Sequence, residues 1–401
     1  MNAQSASVQA SSTPSLAAPA KLQTIERELS ATLIEREEVI RAALIALLAR
    51  QHLVILGPPG TAKSQLVTAL ASRISPSNGT GLKSFTYLMT RFTTPEELFG
   101  PVSVKALKQD EYRRVTTGRL VEAELVFLDE IFKASSAILN ALLKITNERT
   151  FSNGNLEMPV PLLSLFGASN ELPQGNELEA LWDRFLLRLR VGYVSDGGFA
   201  KLMRAVAAKQ MGNGQPQTLL PAELADLQQS AAAVTVPAAT IDLIEQLRKD
   251  LNKKGIFISD RRWGQTLDAL RGHALLEGRD AVAEDDLVFL KHCLWQSPEQ
   301  QTDIGKLIAR LGNPLHARAV DLGDQAASVY QDGMQSHQSA ADNDKKIAAA
   351  IEANGKLKGI TNKLQELREQ ATAQGKPLDR VDKVIAQVAQ MRQEFVELAL
   401  Y

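Results

Sequence analysis

The sequence predicts an α/β fold in which a parallel sheet flanked by helices is followed by an all-helical domain and a C-terminal helical hairpin. Three observations support this fold class. Short apolar runs alternate with helical patterns in the first half of the chain, strand patterns stop at about residue 194, and apolar residues near the C-terminus alternate spacings of three and four. Strands that alternate with helices pair in parallel and carry helices on both faces of the sheet.

The elements of the predicted sheet follow from apolar runs that are short enough to cross it once. Four such runs predict central strands, at residues 52–56, 85–89, 125–128 and 162–168. Helical spacing predicts two helices or one bent helix over residues 22–50, interrupted by a charged stretch at 35–38. It also predicts helices over residues 62–74 and 136–148.

Two stretches interrupt the alternation of strands and helices. Residues 102–119 mix β-branched and charged side chains around Asp110, and residues 149–159 contain the turn signal Ser-Asn-Gly-Asn at 152–155. Both stretches are expected to be hairpins that protrude from the sheet.

The C-terminal hairpin is predicted from two apolar seams. They consist of Leu357, Ile360, Leu364 and Leu367, and of Leu378, Val381, Ile385 and Val388. Gly375, Lys376 and Pro377 lie between the seams and indicate a turn. Either the two seams pack against each other, or the hairpin is an arm that docks on a partner.

The composition is that of a globular chain. Of 401 residues, 44% are hydrophobic and 23% are charged, and the length suggests two or three domains. The formal net charge of -1 gives no global positive field for nucleic acid or an anionic membrane. No apolar run is long enough for a transmembrane helix. The single cysteine, Cys293, excludes an intramolecular disulfide and is expected to be a buried residue of a cytoplasmic protein.

A glycine-rich loop between a predicted strand and a predicted helix has the pattern of a phosphate-binding loop. It consists of Gly57, Pro58, Pro59, Gly60, Thr61, Ala62, Lys63 and Ser64. Glycines let backbone N–H groups approach phosphates, Lys63 supplies positive charge to the terminal phosphates, and the Ser64 hydroxyl ligates Mg²⁺. Ala62 stands where this motif usually has glycine, and the alternative is a Gly/Pro turn with a solvated lysine.

Polar residues follow two other predicted strands. Asp129 and Glu130 end the run at 125–128, where Asp129 can hold Mg²⁺ through water and Glu130 can polarise the attacking water. Asn170 follows the run at 162–168, and its amide either bonds the attacking water and the γ-phosphate or caps the next turn. Because parallel strands bind ligands at their carboxyl ends, these residues and the loop predict an ATP and Mg²⁺ site.

Arginine is the remaining residue type that the reaction needs, because the transition state of phosphoryl transfer spreads negative charge over three oxygens. Two segments supply candidates for this role. The first segment contains Arg184 and Arg188, and the second contains Arg261 and Arg262.

The motifs GPPGTAKS, LVFLDE, GASNELP, LWDRF and SDRRW occur in this order, with YLMTRFTTPEELFGP between the first two. Together they resemble the MoxR family of AAA+ ATPases over residues 52–295. The YLMTRFTTPEELFGP stretch, NERTF and SDRRW are most similar to the RavA subgroup. Members of that subgroup have a small β-rich insertion in a C-terminal helical bundle, and no strand pattern for one occurs here. Ala62 matches the Ala-Lys pair that is common in the family.

The resemblance implies roles for individual residues. Asn170 would be the first sensor, Arg184 the finger that reaches a neighbouring subunit's site, and Arg261 the second sensor on the lid. Arg188 and Arg262 are weaker alternatives to the last two. Arg184 is expected immediately after a sheet element near the subunit edge. The two predicted hairpins would be the insertions that line the pore face.

The resemblance also implies an assembly and a partner. A hexameric ring is expected, which hydrolyses Mg-ATP to remodel or activate a protein partner, often one with a von Willebrand factor A domain. Two other readings stay open. One is a nucleic-acid motor that uses positive charge on the first predicted hairpin, and the other is a nucleotide-gated scaffold without turnover, which conflicts with an intact Glu130. The basic residues in question are Lys105, Lys108, Arg113 and Arg114, diluted by Asp110 and Glu111.

Four regions follow from these patterns. We expect a disordered tail over residues 1–20 and an α/β nucleotide-binding domain over residues 21–195. A helical lid domain is expected over residues 196–300, and a helical or coiled-coil region over residues 301–401.

Overall fold

The computed structural model describes residues 17–74, 82–208, 216–312, 314–340, 342–373 and 378–400. Most of the predicted tail and the predicted turn at 375–377 lie outside these ranges. The chain forms two compact units. The first comprises residues up to Ile241 with Phe257–Gln296, and the second comprises Asp242–Ile256 and the residues from Ser297 onward.

Strands occur in the first unit. They are β1 (Leu53–Leu56), β2 (Ser84–Leu88), β3 (Leu125–Asp129), β4 (Thr150–Asn153), β5 (Leu156–Pro159), β6 (Ser164–Ser169) and β7 (Leu187–Arg190). Five of them form a parallel sheet in the order β2-β3-β6-β1-β7. Strands β1 and β6 are buried along their whole length, as expected for the middle of a sheet that helices cover on both faces. The predicted α/β fold is confirmed, and β7 is a strand that the sequence did not predict.

Helices surround this sheet and continue after it. They are α1 (Ala17–Thr32), α2 (Glu37–Leu48), α3 (Lys63–Arg73), α4 (Pro95–Phe99), α5 (Val104–Leu107), α6 (Ser136–Glu148), α7 (Asn176–Trp182), α8 (Asp196–Ala208), α9 (Pro221–Ala233), α10 (Ala238–Lys253) and α11 (Asp260–Leu276). Residues 22–50 therefore form two helices rather than one bent helix. The break between them contains Glu35, whose φ of 57° is incompatible with a continuing helix.

The second of the two interrupting stretches is a hairpin, as predicted. Strands β4 and β5 pair antiparallel and turn at Gly154, whose φ is 67°. The first stretch was wrongly predicted as a hairpin, because Val102 and Arg114 form only a single antiparallel bridge. Between them lies α5. Its Ser103 cap accepts a hydrogen bond from the Ala106 amide at 3.2 Å, which stabilises one helical turn instead of a strand.

The two insertions are joined to each other. Asn153 accepts a hydrogen bond from the Arg114 amide at 2.7 Å and donates one to the Arg114 carbonyl at 3.2 Å. A Cβ on Gly154 would lie 1.9 Å from the Tyr112 carbonyl oxygen, so only glycine permits this contact. The insertions therefore form one connected surface.

The second unit is helical in its described part. Its C-terminal helices are α12 (Gln300–Gly312), α13 (Pro314–Ser339), α14 (Asn343–Ala373) and α15 (Asp379–Leu400). The predicted seams lie in one apolar cluster together with α13, so the self-packing alternative accounts for them. Leu378 and Ile385 are partly buried there, and the other seam residues are buried. Gly333 on α13 allows close packing, since a Cβ there would lie 2.6 Å from Ala353 and 2.8 Å from Phe395. No helix in the described ranges is both long and apolar enough to cross a membrane.

Candidate nucleotide site

The glycine-rich loop connects the carboxyl end of β1 to the first turn of α3. The Gly57 amide donates to the Ser169 carbonyl at 3.0 Å, which extends the pairing of β1 with β6 by one residue. A Cβ on Gly57 would lie 2.3 Å from the Val191 carbonyl oxygen, so only glycine fits at the position where the loop leaves the sheet. Gly60 and Ala62 have φ of 80° and 64°. Left-handed residues of this kind turn successive amides toward one point, which forms an anion-binding concavity.

Lys63 is the first residue of α3 and is 8% exposed. Its Nζ donates to the Gly57 carbonyl at 2.6 Å and to the Pro58 carbonyl at 3.0 Å. Burial lowers the pKa of Lys63, while the nearby carboxylates of Asp129 and Glu130 oppose that shift. The lysine charge is thus held directly over the loop.

The acidic pair lies at the same edge of the sheet as the loop. The Ser64 Oγ is 3.2 Å from the Asp129 Oδ2, so a hydroxyl and a carboxylate face one point. Glu130 has φ of 54°, and its amide donates to the Asp129 Oδ1 at 3.0 Å. Lys133 pairs with the Glu130 carboxylate at 3.3 Å. The two carboxylates therefore have different surroundings, with Asp129 directed to Ser64 and Glu130 directed to Lys133.

Asn170 follows β6, which lies between β1 and β3 in the sheet. Leu56 at the end of β1 is paired with Ser169, and Leu128 near the end of β3 is paired with Gly167. This register brings Asn170, which is exposed, between the glycine-rich loop and the acidic pair. The structure therefore gathers these three predicted groups at the carboxyl edge of the sheet.

The predicted arginines lie at the opposite edge. Arg184 follows α7 and precedes β7, so the expectation that it follows a sheet element was wrong. Leu187 at the start of β7 is paired with Leu53 at the start of β1, which assigns Arg184 to the amino edge. A strand of four residues spans about 13 Å at roughly 3.3 Å per residue. The Arg184 Nε is buried and has no hydrogen-bond partner among the described residues.

Arg188 is fully buried on β7. It donates to the carbonyls of Phe185 at 3.1 Å, Trp182 at 2.9 Å and Trp295, and its guanidinium stacks over the Trp182 ring at 4.4 Å. Burial lowers its pKa well below the ordinary arginine value. The suggestion of Arg188 as an alternative finger was therefore wrong, because its donors are committed to the interior.

Arg261 and Arg262 lie in the first turn of α11 and converge on Asp183 at the amino edge. The Arg261 Nη2 is 2.5 Å from one Asp183 carboxylate oxygen, and the Arg262 Nη2 is 3.3 Å from the other. Arg262 is fully buried and also donates to the Cys293 carbonyl at 2.8 Å. The suggestion of Arg262 as an alternative second sensor was therefore wrong, because its donors are also committed to the interior. Arg261 contacts Asp183, which precedes Arg184 in the chain.

Two residues of this region were missed in the sequence. Asp183 was noted only as part of a motif, although its carboxylate holds both arginines of α11. Arg36 is 8% exposed and donates to the Thr61 carbonyl of the glycine-rich loop at 3.2 Å. The only signal for Arg36 is the charged stretch at 35–38, which interrupts an otherwise apolar helical pattern.

A glycine-rich loop between a strand and a helix, at the carboxyl edge of a parallel sheet, is typical of phosphate-loop NTPases. A family model described as the MoxR domain in MoxR-vWA-beta-propeller ternary systems matches residues 20–229. A second model, an AAA lid domain, matches residues 239–308. The chain belongs to the MoxR family of AAA+ ATPases.

Similar chains agree with this family. Two uncharacterized proteins of Methanocaldococcus jannaschii are 37% and 38% identical, over 92% and 91% of this chain and 96% and 94% of their own lengths. The chaperone MoxR1 of Mycobacterium tuberculosis is 26% identical over 67% of this chain and 74% of its own. A crystal structure of a proposed ATPase from Cytophaga hutchinsonii covers 74% of this chain and 95% of its own, with a TM-score of 0.58 and 19% identity. That likeness concerns the fold alone.

Proposed function

We propose that this protein binds Mg-ATP at residues 57–64 and hydrolyses it in an oligomeric ring to remodel a protein partner. One observation supports the proposal most: the Ser64 hydroxyl is 3.2 Å from the Asp129 carboxylate, at the edge where Lys63 covers the loop. A hydroxyl and a carboxylate on one side of a phosphate loop are the ligands that phosphate-bound Mg²⁺ takes in such sites.

Each residue of the carboxyl edge has a proposed task. The amides of the loop and Lys63 bind the phosphates, and Ser64 and Asp129 hold Mg²⁺, which when bound neutralises charge on the phosphate oxygens. Glu130 accepts a hydrogen bond from the attacking water, and the Asn170 amide orients that water. Lys133 holds the Glu130 carboxylate at 3.3 Å and keeps it in one orientation.

Mg²⁺ fits this donor set only together with a nucleotide. Within the described ranges no cluster of three or more His, Cys, Asp or Glu side chains could hold a metal on its own. Mg²⁺ keeps several waters and binds through one or two protein ligands plus substrate phosphates. ATP and Mg²⁺ are therefore expected to bind together.

The arginines at the amino edge are proposed to act on a neighbouring subunit. Arg184 precedes β7 at the edge opposite the loop, about one strand length away, and Arg261 contacts Asp183 next to it. A head-to-tail contact between two copies would bring the amino-edge arginines of one copy to the phosphates of the next. Such heterologous contacts form a ring when the rotation between copies closes, and we propose a hexamer.

The proposed partner comes from the family. The matching family model is named for ternary systems with a vWA domain and a beta-propeller. We accordingly propose that a von Willebrand factor A-domain protein is the partner, contacted by the joined insertions at 102–119 and 149–159. A closer relation to the RavA subgroup, a cytoplasmic location and domain limits at residues 20, 195 and 300 are further proposals that rest on the sequence motifs and patterns.

The nucleic-acid alternative loses support from the charges on the first insertion. Arg113 pairs with Glu111 at 3.1 Å, and Arg114 pairs with Glu96 at 2.9 Å. Arg114 is also tied to Asn153 through its backbone. Half of the basic residues considered for phosphate contacts are therefore already paired, and strongly salt-dependent DNA binding would be needed to restore this alternative.

A matched pair of variants tests the proposed function. Lys63→Ala should abolish tight ATP binding, because it removes the charge nearest the terminal phosphates. Glu130→Gln should bind ATP normally and release phosphate roughly 10²- to 10⁴-fold more slowly, as is typical for the loss of a general base. Near wild-type phosphate release by Glu130→Gln would contradict the assignment of the water-activating carboxylate. Absence of turnover in the wild type, with ATP bound, would favour the scaffold alternative.

A further inference from the structure

The turn between α1 and α2 contacts the phosphate loop, and the proposed function gives this turn no task. Glu35 has φ of 57°, a left-handed conformation that is uncommon for a residue with a side chain. Arg36 follows it and is 8% exposed. A strained backbone conformation of this kind persists only where contacts with the surrounding structure hold it in place.

Arg36 connects the turn to two other segments. Its Nε donates to the Thr61 carbonyl of the phosphate loop at 3.2 Å, and its Nη2 donates to the Gly192 carbonyl at 2.6 Å. Gly192 follows Val191, against which Gly57 packs so closely that a Cβ would lie 2.3 Å from the Val191 carbonyl oxygen. The segment after β7 therefore holds the loop twice, directly at Gly57 and through Arg36 at Thr61.

Glu35 connects the same turn to the start of α8. Its carboxylate accepts hydrogen bonds from the Ser195 amide at 2.8 Å and from the Ser195 hydroxyl at 2.5 Å. These bonds lower the pKa of Glu35. A Cβ on Gly198 would lie 2.2 Å from the Glu35 Oε1, so the first turn of α8 accommodates the carboxylate because residue 198 is glycine.

We propose that Arg36 is a positioning residue for nucleotide binding, and that the Glu35–Ser195 contact links the conformation of the phosphate loop to the start of α8. Arg36 fixes the Thr61 peptide. That peptide precedes Ala62, whose left-handed conformation directs the amides of the loop toward one point. This inference rests on the proposed function, because Mg-ATP is the ligand that the loop would position.

Arg36→Met in the full-length protein tests the first half of the proposal. Arg149→Met is the matched control, because Arg149 also donates to a backbone carbonyl, that of Arg50 at 2.8 Å, and burial lowers its pKa to about 10. Arg50 precedes β1, so Arg149 lies at the edge away from the loop. Arg36→Met should weaken binding of a fluorescent ATP analogue with Mg²⁺ by roughly 10- to 100-fold, as expected for loss of charged hydrogen bonds.

The control separates positioning from general stability. Arg149→Met should lose thermal stability while its affinity for the analogue stays within about twofold of the wild type, a difference below roughly 0.4 kcal/mol. For Arg36→Met the KM for ATP should rise while kcat changes much less, since the loop then binds substrate and transition state equally poorly. Equal loss of affinity in both variants, or unchanged affinity in Arg36→Met, contradicts the inference alone. A wild-type protein that binds no nucleotide contradicts the proposed function and this inference with it.

Ser195→Ala tests the second half, and the exposed position of Ser195 makes it a mild substitution. Hydrogen exchange of the first turn of α8 is measured with and without the Mg²⁺-bound analogue. We expect the analogue to slow exchange there in the wild type, and to do so several-fold less in Ser195→Ala, whose affinity stays near that of the wild type. An equal nucleotide-dependent change in the two proteins would show that the contact transmits nothing.

Discussion

The two edges of the parallel sheet use charge in different ways. At the carboxyl edge, Asp129 and Glu130 lie beside the loop, and buried Lys63 bonds loop carbonyls. At the amino edge, buried Arg188 and Arg262 are committed to acceptors in the same chain, and Asp183 pairs with both Arg262 and the partly exposed Arg261. Arg184 differs from its neighbours, since its Nε is buried and unpaired in the part of the chain that the structure describes.

The difference indicates that the carboxyl edge of one chain lacks the arginine that the proposed reaction needs. A phosphate site needs positive charge for the transition state, and the four arginines predicted from the sequence for this role lie at the other edge of the sheet. Arg188 and Arg262 stabilise that edge, which leaves Arg184 and Arg261 as the arginines that a second copy could use. The comparison therefore predicts a division between arginines for catalysis and arginines for stability.

The largest expected effect concerns Arg184. Arg184→Ala should bind ATP nearly as the wild type does and hydrolyse it roughly 10³- to 10⁵-fold more slowly, the usual contribution of an arginine finger. Mixing gives the sharper measurement. A Lys63→Ala subunit still offers its Arg184 to an Arg184→Ala neighbour whose phosphate loop is sound, so mixed rings of two inactive proteins should recover phosphate release. Verified mixed rings without recovery would mean that Arg184 does not act across subunits.

Arg261 should show a smaller effect with the same pattern. Its guanidinium is shared with Asp183, so we expect Arg261→Ala to slow hydrolysis by roughly 10- to 100-fold, the effect of one charged hydrogen bond. Mixing with Lys63→Ala should again restore phosphate release. If Arg261 instead served the loop of its own subunit, mixing would leave the rate per Arg261→Ala subunit unchanged.

Arg188 should affect stability rather than the reaction. Arg188→Met leaves the buried carbonyls of Phe185, Trp182 and Trp295 without their donor. We expect it to lower the free energy of unfolding by about 3 kcal/mol, since each buried group left unsatisfied costs about 1–3 kcal/mol. Thermal unfolding measures this loss, and phosphate release per folded molecule should change less than about tenfold. A much larger loss of the phosphate-release rate, with unchanged stability, would support Arg188 as the arginine finger.

Asp183 should give the smallest effect on stability. Asp183→Asn keeps the shape of the side chain but removes the charge that balances buried Arg262. Asp183 is 33% exposed, so solvent screening limits the loss of unfolding free energy to about 1–2 kcal/mol, below that of a fully buried pair. Chemical denaturation measures this change. No loss in Asp183→Asn would mean that the carbonyl acceptors of Arg262 suffice to hold it.

The sequence predicted the carboxyl edge far better than the amino edge. An apolar run that ends in a glycine-rich loop or an acidic pair predicts both a strand and the functional residues at its end. The four strands predicted from apolar runs are present. Strand β7 was missed because its sequence alternates leucine with arginine, and Arg188 looks like a solvated charge until the carbonyls around it are known. The candidate arginines look alike in the sequence, and only burial separates Arg188 and Arg262 from the others.

The first insertion illustrates a second limit. Its β-branched residues predicted a hairpin, but a single Ser103 cap was enough to form α5, and the stretch is held by Asn153 from the other insertion. Contacts between segments that are far apart in the chain decide such stretches, and one sequence read alone carries no record of them. The roles of the site residues remain predictions that the variants above test.

The burial of Cys293 has a practical consequence for chemical labelling. The thiol is fully buried, and burial raises its pKa to about 12. At neutral pH only about one molecule in 10⁵ would carry the reactive thiolate, and that thiolate would be inaccessible to reagents. The chain has no other cysteine. A cysteine introduced on the surface would therefore be the only thiol that reacts with a maleimide, and Cys293 would not need to be replaced. Cross-linking between copies can therefore be interpreted with a single attachment point per chain.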